Sequence, residues 1–192
     1  MRTAARLEDD ELDLVRRAQR GDREAFGVLV QRYQQRVVNV ARGLVHNVDD
    51  AVELGQETFI RAFQNLRSFE GRSSFSTWLY RIASNLAIDW RRRETRYPVA
   101  HGEDAENELR KIPSKQGDSF REAVRDEVSQ KVREALRELT AEHREVILLR
   151  EMEGLSYEEI SEILGCPKGT VMSRLHYARS HLRDLLKDLE AD

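Results

Sequence analysis

Residues 156–183 read SYEEISEILGCPKGTVMSRLHYARSHLR, and the punctuation of this stretch decides the fold. Ser156 with Glu159 three residues later is a capping box, in which each side chain bonds the other residue's backbone N–H at a helix start. Ile160, Ile163 and Leu164 then share one helical face. Gly165, Cys166 and Pro167 interrupt that face. A longer stripe follows from Lys168, with Val171, Leu175, Ala178, Leu182, Leu185, Leu186 and Leu189. A short helix, a turn containing glycine and a second helix predict a helix-turn-helix over about 157–176.

That spacing suits one task. A short turn lets the first helix cross a phosphate backbone while the second enters the major groove. Only residues near the start of the second helix then reach base edges, and here they are Lys168, Thr170, Ser173 and Arg174. Gly169 leaves the approach uncrowded, and the free N–H groups of the helix start can meet a phosphate. A solvated helical hairpin would have the same outline. The run 168–183 holds Lys168, Arg174, Arg179 and Arg183 and no acid, which favours a nucleic-acid surface. Cys166 is expected to pack as a small hydrophobe.

Outward from this motif, apolar residues keep helical spacing almost everywhere. A short leading helix is predicted near 8–19, closed by Gly21. Asp22 then caps a helix with the stripe Phe26, Leu29, Val30, Tyr33, Val37, Val40, Ala41 and Leu44. Asp49 and Asp50 precede Ala51, Leu54, Thr58, Phe59, Ala62 and Leu66. Ser73 or Ser74 caps Phe75, Trp78, Leu79, Ile82, Ala83, Leu86 and Trp90. Ser119 with Glu122 opens a further helix carrying Val124, Val128, Val132, Ala135, Leu136 and Leu139. Thr140 caps another, which ends near Gly154. Between them, 96–117 has no apolar period and contains Pro98, Gly102, Pro113 and Gly117. It reads as a linker, because structureless loops of that length are uncommon inside a domain. The expectation is an all-α chain: a domain over 1–95, a flexible linker over 96–117, and a domain over 118–192.

Composition removes several classes. Only three prolines, ten glycines and one cysteine exclude collagen, low-complexity disorder and a disulfide scaffold. No run of apolar residues is long enough to span a bilayer, and the polar N-terminus is no signal peptide, so a cytoplasmic protein is expected. There is no glycine-rich phosphate loop, no His-Glu-x-x-His and no nucleophile motif. The five histidines share no metal-ligand spacing with Cys166. No catalytic, metal or cofactor residue is assigned, and the chain is not expected to be an enzyme. The net charge of −3 conceals an uneven distribution: residues 61–96 hold eight arginines against Glu70, Asp89 and Glu94.

That basic segment includes FEGRSSFSTWLYRIASNLAIDWRRR at 69–93. Aromatics that stack on bases and arginines that follow phosphates are the ingredients of a single-strand binder. Gly71 and the serines suggest a loop able to hold an extruded base, with the Asn85 amide beyond it. Phe75, Trp78, Leu79 and Ile82 stand at helical spacing and equally suit a core. Upstream, DDAVELGQETFI at 49–60 puts acids and Gln56 beside Leu54, Phe59 and Ile60, read as exposed or half exposed. It is either a solvated helix or one that docks a partner.

Four stretches, taken in order, resemble one family: DDAVELGQETFIRAF, FEGRSSFSTWLYRIASN, LREMEGLSYEEISEILGCPKGTV and SRLHYARSHLR. The chain resembles the extracytoplasmic-function sigma factors, the small two-domain sigma subunits of bacterial RNA polymerase, over about 10–95 and 118–188. The resemblance implies that Asp50, Glu53, Leu54, Gln56, Glu57, Phe59 and Ile60 dock on the polymerase core. It implies that the loop Phe69 to Phe75, with Ser73 and Ser74, captures a flipped base at the −10 element. Trp78, Arg81, Asn85, Asp89, Trp90, Arg91, Arg92 and Arg93 complete that surface. Lys168, Gly169, Thr170, Ser173, Arg174, Tyr177 and Arg179 would read the −35 element. Expected partners are core polymerase, promoter DNA and an anti-sigma factor, membrane-anchored or soluble, with no small-molecule substrate and no membrane insertion of the chain itself. Departures from the family pattern fall at Val52, Gly55 and Met172. The alternative is a stand-alone helix-turn-helix regulator, which would need a dimer surface and a ligand pocket.

Overall fold

A computed structural model describes residues 2–45, 47–96 and 119–187. Among them all regular structure is helical. The expected linker over 96–117 lies, but for Arg96, outside the described residues. No described helix is long and apolar enough to cross a membrane.

The N-terminal half is built on α2 (Arg23–Leu44) and α3 (Val48–Asn65). Asp22 starts α2 by accepting the Ala25 N–H at 3.0 Å, as its sequence position predicted. Asn47, not Asp49 or Asp50, starts α3: its side-chain oxygen accepts the Asp50 N–H at 2.7 Å. The two acids instead occupy the first turn, where they face the positive helix end. Helix α1 (Arg2–Gln19) begins earlier than the apolar stripe indicated. Helix α4 (Phe75–Arg96) starts at Ser74, whose Oγ accepts the Thr77 N–H at 3.0 Å.

These helices bury Leu29, Val37, Val40, Leu54, Leu66 and Leu79 almost completely. Gly55 has a packing reason: a Cβ there would lie 2.8 Å from Val38 Cγ2. Its cost of about 1 kcal/mol inside a helix lets α2 and α3 approach. Leu54 and Phe59 correct the sequence expectation. They are 1% and 9% exposed, turned into the core rather than to a partner.

The C-terminal half comprises α5 (Ser119–Glu138), α6 (Ala141–Ile147), α7 (Tyr157–Leu164) and α8 (Lys168–Leu185). The side chains of the expected Ser119–Glu122 capping box lie outside the described residues. Thr140 caps α6 as expected. Residues Leu148–Met152 continue α6 as one π turn, a widening that periodicity did not predict. The backbone then reverses at Gly154, with φ +70°. Val146, Leu149, Ile160, Val171 and Leu175 form this half's core.

Both members of the Ser156–Glu159 capping box are in place. Ser156→Ala should lower the stability of the C-terminal half by about 1 kcal/mol. A urea titration followed by circular dichroism measures this, and an unchanged midpoint would contradict it. The two halves also touch, α4 lying along α7 and α2 against α6.

Candidate nucleic-acid and partner interfaces

Helix α7 ends in left-handed Gly165, φ +60° and ψ +33°, a conformation glycine adopts freely. The Cys166 N–H then bonds Ser161 O at 3.2 Å, and Ser161 Oγ donates to Cys166 O at 2.6 Å. Pro167 begins α8 without a side-chain cap. The turn thus leaves the first backbone donors of α8 unclaimed by a cap while fixing the angle between the helices.

Val171, Leu175 and Ala178 anchor α8. Its other side presents Lys168, Gly169, Met172, Ser173, Tyr177 and Arg179 to solvent, with Thr170 and Arg174 half-buried. Met172 is 51% exposed, so its apolar side chain takes part in this surface. Two of the cations have partners: Lys168 pairs with Glu158, and Arg179 with Glu151 at 2.7 Å. Tyr177 stacks on His143, ring centroids 4.4 Å apart, with His181 5.9 Å away on α8.

The expected base-capture loop is held from behind. Phe69, Phe75 and Trp78 pack on one another at 5.1–6.0 Å, and all three are buried. Gln19 on α1 donates to Leu66 O at 2.9 Å and Phe69 O at 2.8 Å. Sequence reading missed this brace, because nothing local links Gln19 to a loop fifty residues away. Gly71 turns the loop with φ +71°; Ser73 is half-buried, while Ser74 is spent as the helix cap. On α4, Asn85, Asp89, Arg92 and Arg93 are exposed, with Trp90 and Arg91 half-buried.

On α3, Glu53 and Gln56 are exposed, and Asp50 and Glu57 are half-exposed. Val52, Ile60 and Phe63 lie beside them, 40%, 51% and 47% exposed. With Gln56 they recur at the helical spacing of one outward stripe. Phe63 was absent from the sequence expectation. It leans on Phe26, centroids 5.0 Å apart, and carries the stripe to the end of the helix.

The sigma-70 region 2 family profile matches residues 29–97, and the sigma-70 region 4 profile matches 129–182. The chain belongs to the extracytoplasmic-function group of the sigma-70 family. It is 38% identical over 190 residues to the RNA polymerase sigma-H factor of Pseudomonas aeruginosa, covering 95% of this chain and 96% of that one. It is 39% identical over 184 residues to the ECF RNA polymerase sigma-E factor of Haemophilus influenzae, covering 92% and 95%. It also superimposes on the sigma factor RpoE in complex with the anti-sigma factor NepR from Bartonella quintana. The TM-score there is 0.65 at 28% identity, over 84% of this chain and 96% of that one. A sigma factor directs transcription initiation by another enzyme and performs no catalysis of its own.

In this sigma factor, α4 of region 2 has a second covered face. Thr77, Tyr80, Ser84, Ile88 and Arg91 recur every three or four residues, and region 4 lies over them, while Arg81 at the edge of this face is exposed. Thr77 is 1% exposed and its Oγ1 donates to Glu159 at 3.3 Å. Tyr80, also 1% exposed, donates its hydroxyl to Glu153. Burial first, and that bond second, hold the Tyr80 phenol well above its usual range. Arg81 lies 4.0 Å from Glu162. On the neighbouring helix, Gly43 O accepts from Arg144 Nη1 at 3.4 Å.

Proposed function

We propose that this sigma factor binds core RNA polymerase through the outward stripe of α3, reads the −10 element with the Phe69–Phe75 loop and α4, and reads the −35 element with α8. The observation that carries the reading is the polar and basic face of α8. It stands outside the core at the end of a helix-turn-helix whose first helix is short and doubly capped. Domains over 1–95 and 118–192 act as the two readers, joined by 96–117.

The residues divide by exposure. Phe69, Phe75 and Trp78 hold the loop rigid, whereas Gly71, Arg72 and Asn85 can meet a base or phosphate. Leu54 and Phe59 position α3, and Gln56, Ile60, Phe63 and the surrounding acids make the polymerase contact. Lys168 and Arg179 exchange Glu158 and Glu151 for phosphates; exposed ion pairs of this kind cost little to break. The likeness to a sigma factor held by NepR supports an anti-sigma factor as a further partner, acting in the cytoplasm. A stand-alone regulator would bind duplex alone, whereas this reading requires polymerase.

The test is run-off transcription with core enzyme on a genomic library. Discrete promoters used only when the protein is added support the reading; none would refute it. Within that assay, Asn85→Ala should reduce open-complex formation about tenfold or more, the worth of a good base contact at ~1–3 kcal/mol. Unchanged permanganate reactivity at the −10 element would remove Asn85 from the capture site.

A further inference from the structure

A cavity of about 270 Å³ lies between the end of α2 and the start of α3 on one side and α5, α6 and the π turn on the other. Its apolar lining is graded by depth. Val45 and Leu148 are buried, Val48 and Leu136 are half-buried, and Met152, 53% exposed, stands at the mouth. Gly43 lets the two walls meet, because a Cβ there would overlap Leu148 Cδ1. This lining is aliphatic throughout. It offers no ring for a base or an aromatic ligand to stack on, and the unbranched Met152 adapts to a flexible chain.

The polar lining is cationic. Arg42, Arg133, Arg137 and Arg144 line the cavity, and no carboxylate does so among the described residues. Elsewhere Arg17, Arg32, Arg61 and Arg179 each hold a carboxylate at 2.7–2.8 Å. Arg42 and Arg133 are exposed at the rim, and neither has an ion pair among the described residues. Arg144 lies deeper. Its Nη atoms donate to Gly43 O, Arg137 O and Leu139 O, all backbone carbonyls, at 2.9–3.4 Å. Its Nε is buried without a partner. Burial first, then the nearby Arg91 and Arg137, hold its guanidinium below the usual arginine range. Crowded cations above an apolar floor favour one kind of ligand, an anion with a hydrocarbon body. Small-molecule sites share this plan: a concave, mostly apolar lining at a domain boundary, with a few polar groups that fix orientation.

We propose that this cavity binds a small alkyl anion, its chain against Val45, Leu148 and Met152 and its carboxylate or phosphate head on Arg42, Arg133 and Arg144. The guanidinium fork meets either head with two parallel hydrogen bonds. None of the residues assigned above to polymerase, −10 or −35 recognition lines the cavity, so the ligand is additional to those partners.

Methionine methyl groups give the test. The chain has three methionines, Met1, Met152 and Met172. Full-length protein carrying ¹³C at these methyls is titrated with decanoate and with decyl phosphate, each below its micellar concentration. Either anion should shift Met152 in a saturable way and leave Met172, on the exposed face of α8, in place. Binding of one anion alone also supports the site and assigns its head group. Decanol, with the same chain and no charge, should bind about tenfold or more weakly. Arg42→Ala combined with Arg133→Ala should remove that preference; both side chains are exposed, so the fold is kept. Met152→Glu, followed by calorimetry, should weaken both anions by a similar factor. No saturable shift of Met152 with either anion would overturn the site. Equal shifts of Met152 and Met172 would overturn its location. Decanol binding as tightly as the anions, or a double arginine variant that still prefers them, would overturn the role given to the arginines. These outcomes do not depend on run-off transcription, whose failure would refute the promoter reading alone.

Discussion

Ile60→Glu combined with Phe63→Glu should abolish co-purification with core RNA polymerase while leaving the fold standing. Both side chains are about half exposed, on the same side of α3. Their apolar surface therefore contributes little to region 2 but is available to a partner. Apolar anchors at the centre of an interface cost ~2 kcal/mol or more each when lost, and buried acids add a desolvation penalty. Two such losses approach a thousandfold in affinity at ~1.4 kcal/mol per tenfold, before the penalty for the buried acids is added. Phe63 also touches Phe26, so a slightly lower melting temperature is expected, by the ~0.5–1.5 kcal/mol of an aromatic pair. Retained polymerase binding with a normal melting curve would place the docking surface elsewhere. The same change at Leu54 or Phe59 would be uninformative, because those residues would unfold the half they support.

A second large effect is expected from Leu175→Ala. Leu175 is 1% exposed on the side of α8 opposite its polar face. Removing its branch should lower the stability of the C-terminal half by ~2–5 kcal/mol. Small domains hold ~5–15 kcal/mol in total, so much of this half's margin would go. The two tryptophans, Trp78 and Trp90, both sit on α4. Helical signal should therefore be lost at low urea while tryptophan fluorescence keeps a later transition. A single shared transition at the wild-type midpoint would contradict the packing described.

These variants also show how far the residues alone could be read. The helix-turn-helix was legible because its signals are local: a capping box at Ser156, a glycine where the chain needs positive φ, and an uninterrupted stripe behind Lys168. Helix α3 was legible as a helix but not in its orientation. Its apolar residues occupy two faces, Leu54–Phe59–Ala62 and Val52–Ile60–Phe63, and spacing does not say which one the core covers. The π turn left no trace, since the continuous apolar run Val146 to Leu149 that leads into it carries no period to read. The covered face of α4 was illegible for a different reason. Thr77, Tyr80 and Ser84 look like a solvent side, and only the folded chain shows that they are buried. Gln19 escaped notice because its two acceptors are backbone oxygens distant in sequence.

That polar face of α4 bears on how the protein behaves in a crowded cell. Contiguous apolar area, once uncovered, lets chains adhere to one another. Here the covered strip holds a threonine, a tyrosine hydroxyl and a serine, each able to hydrogen-bond water. The exposed strip would lack the contiguous apolar area that marks an aggregation hazard.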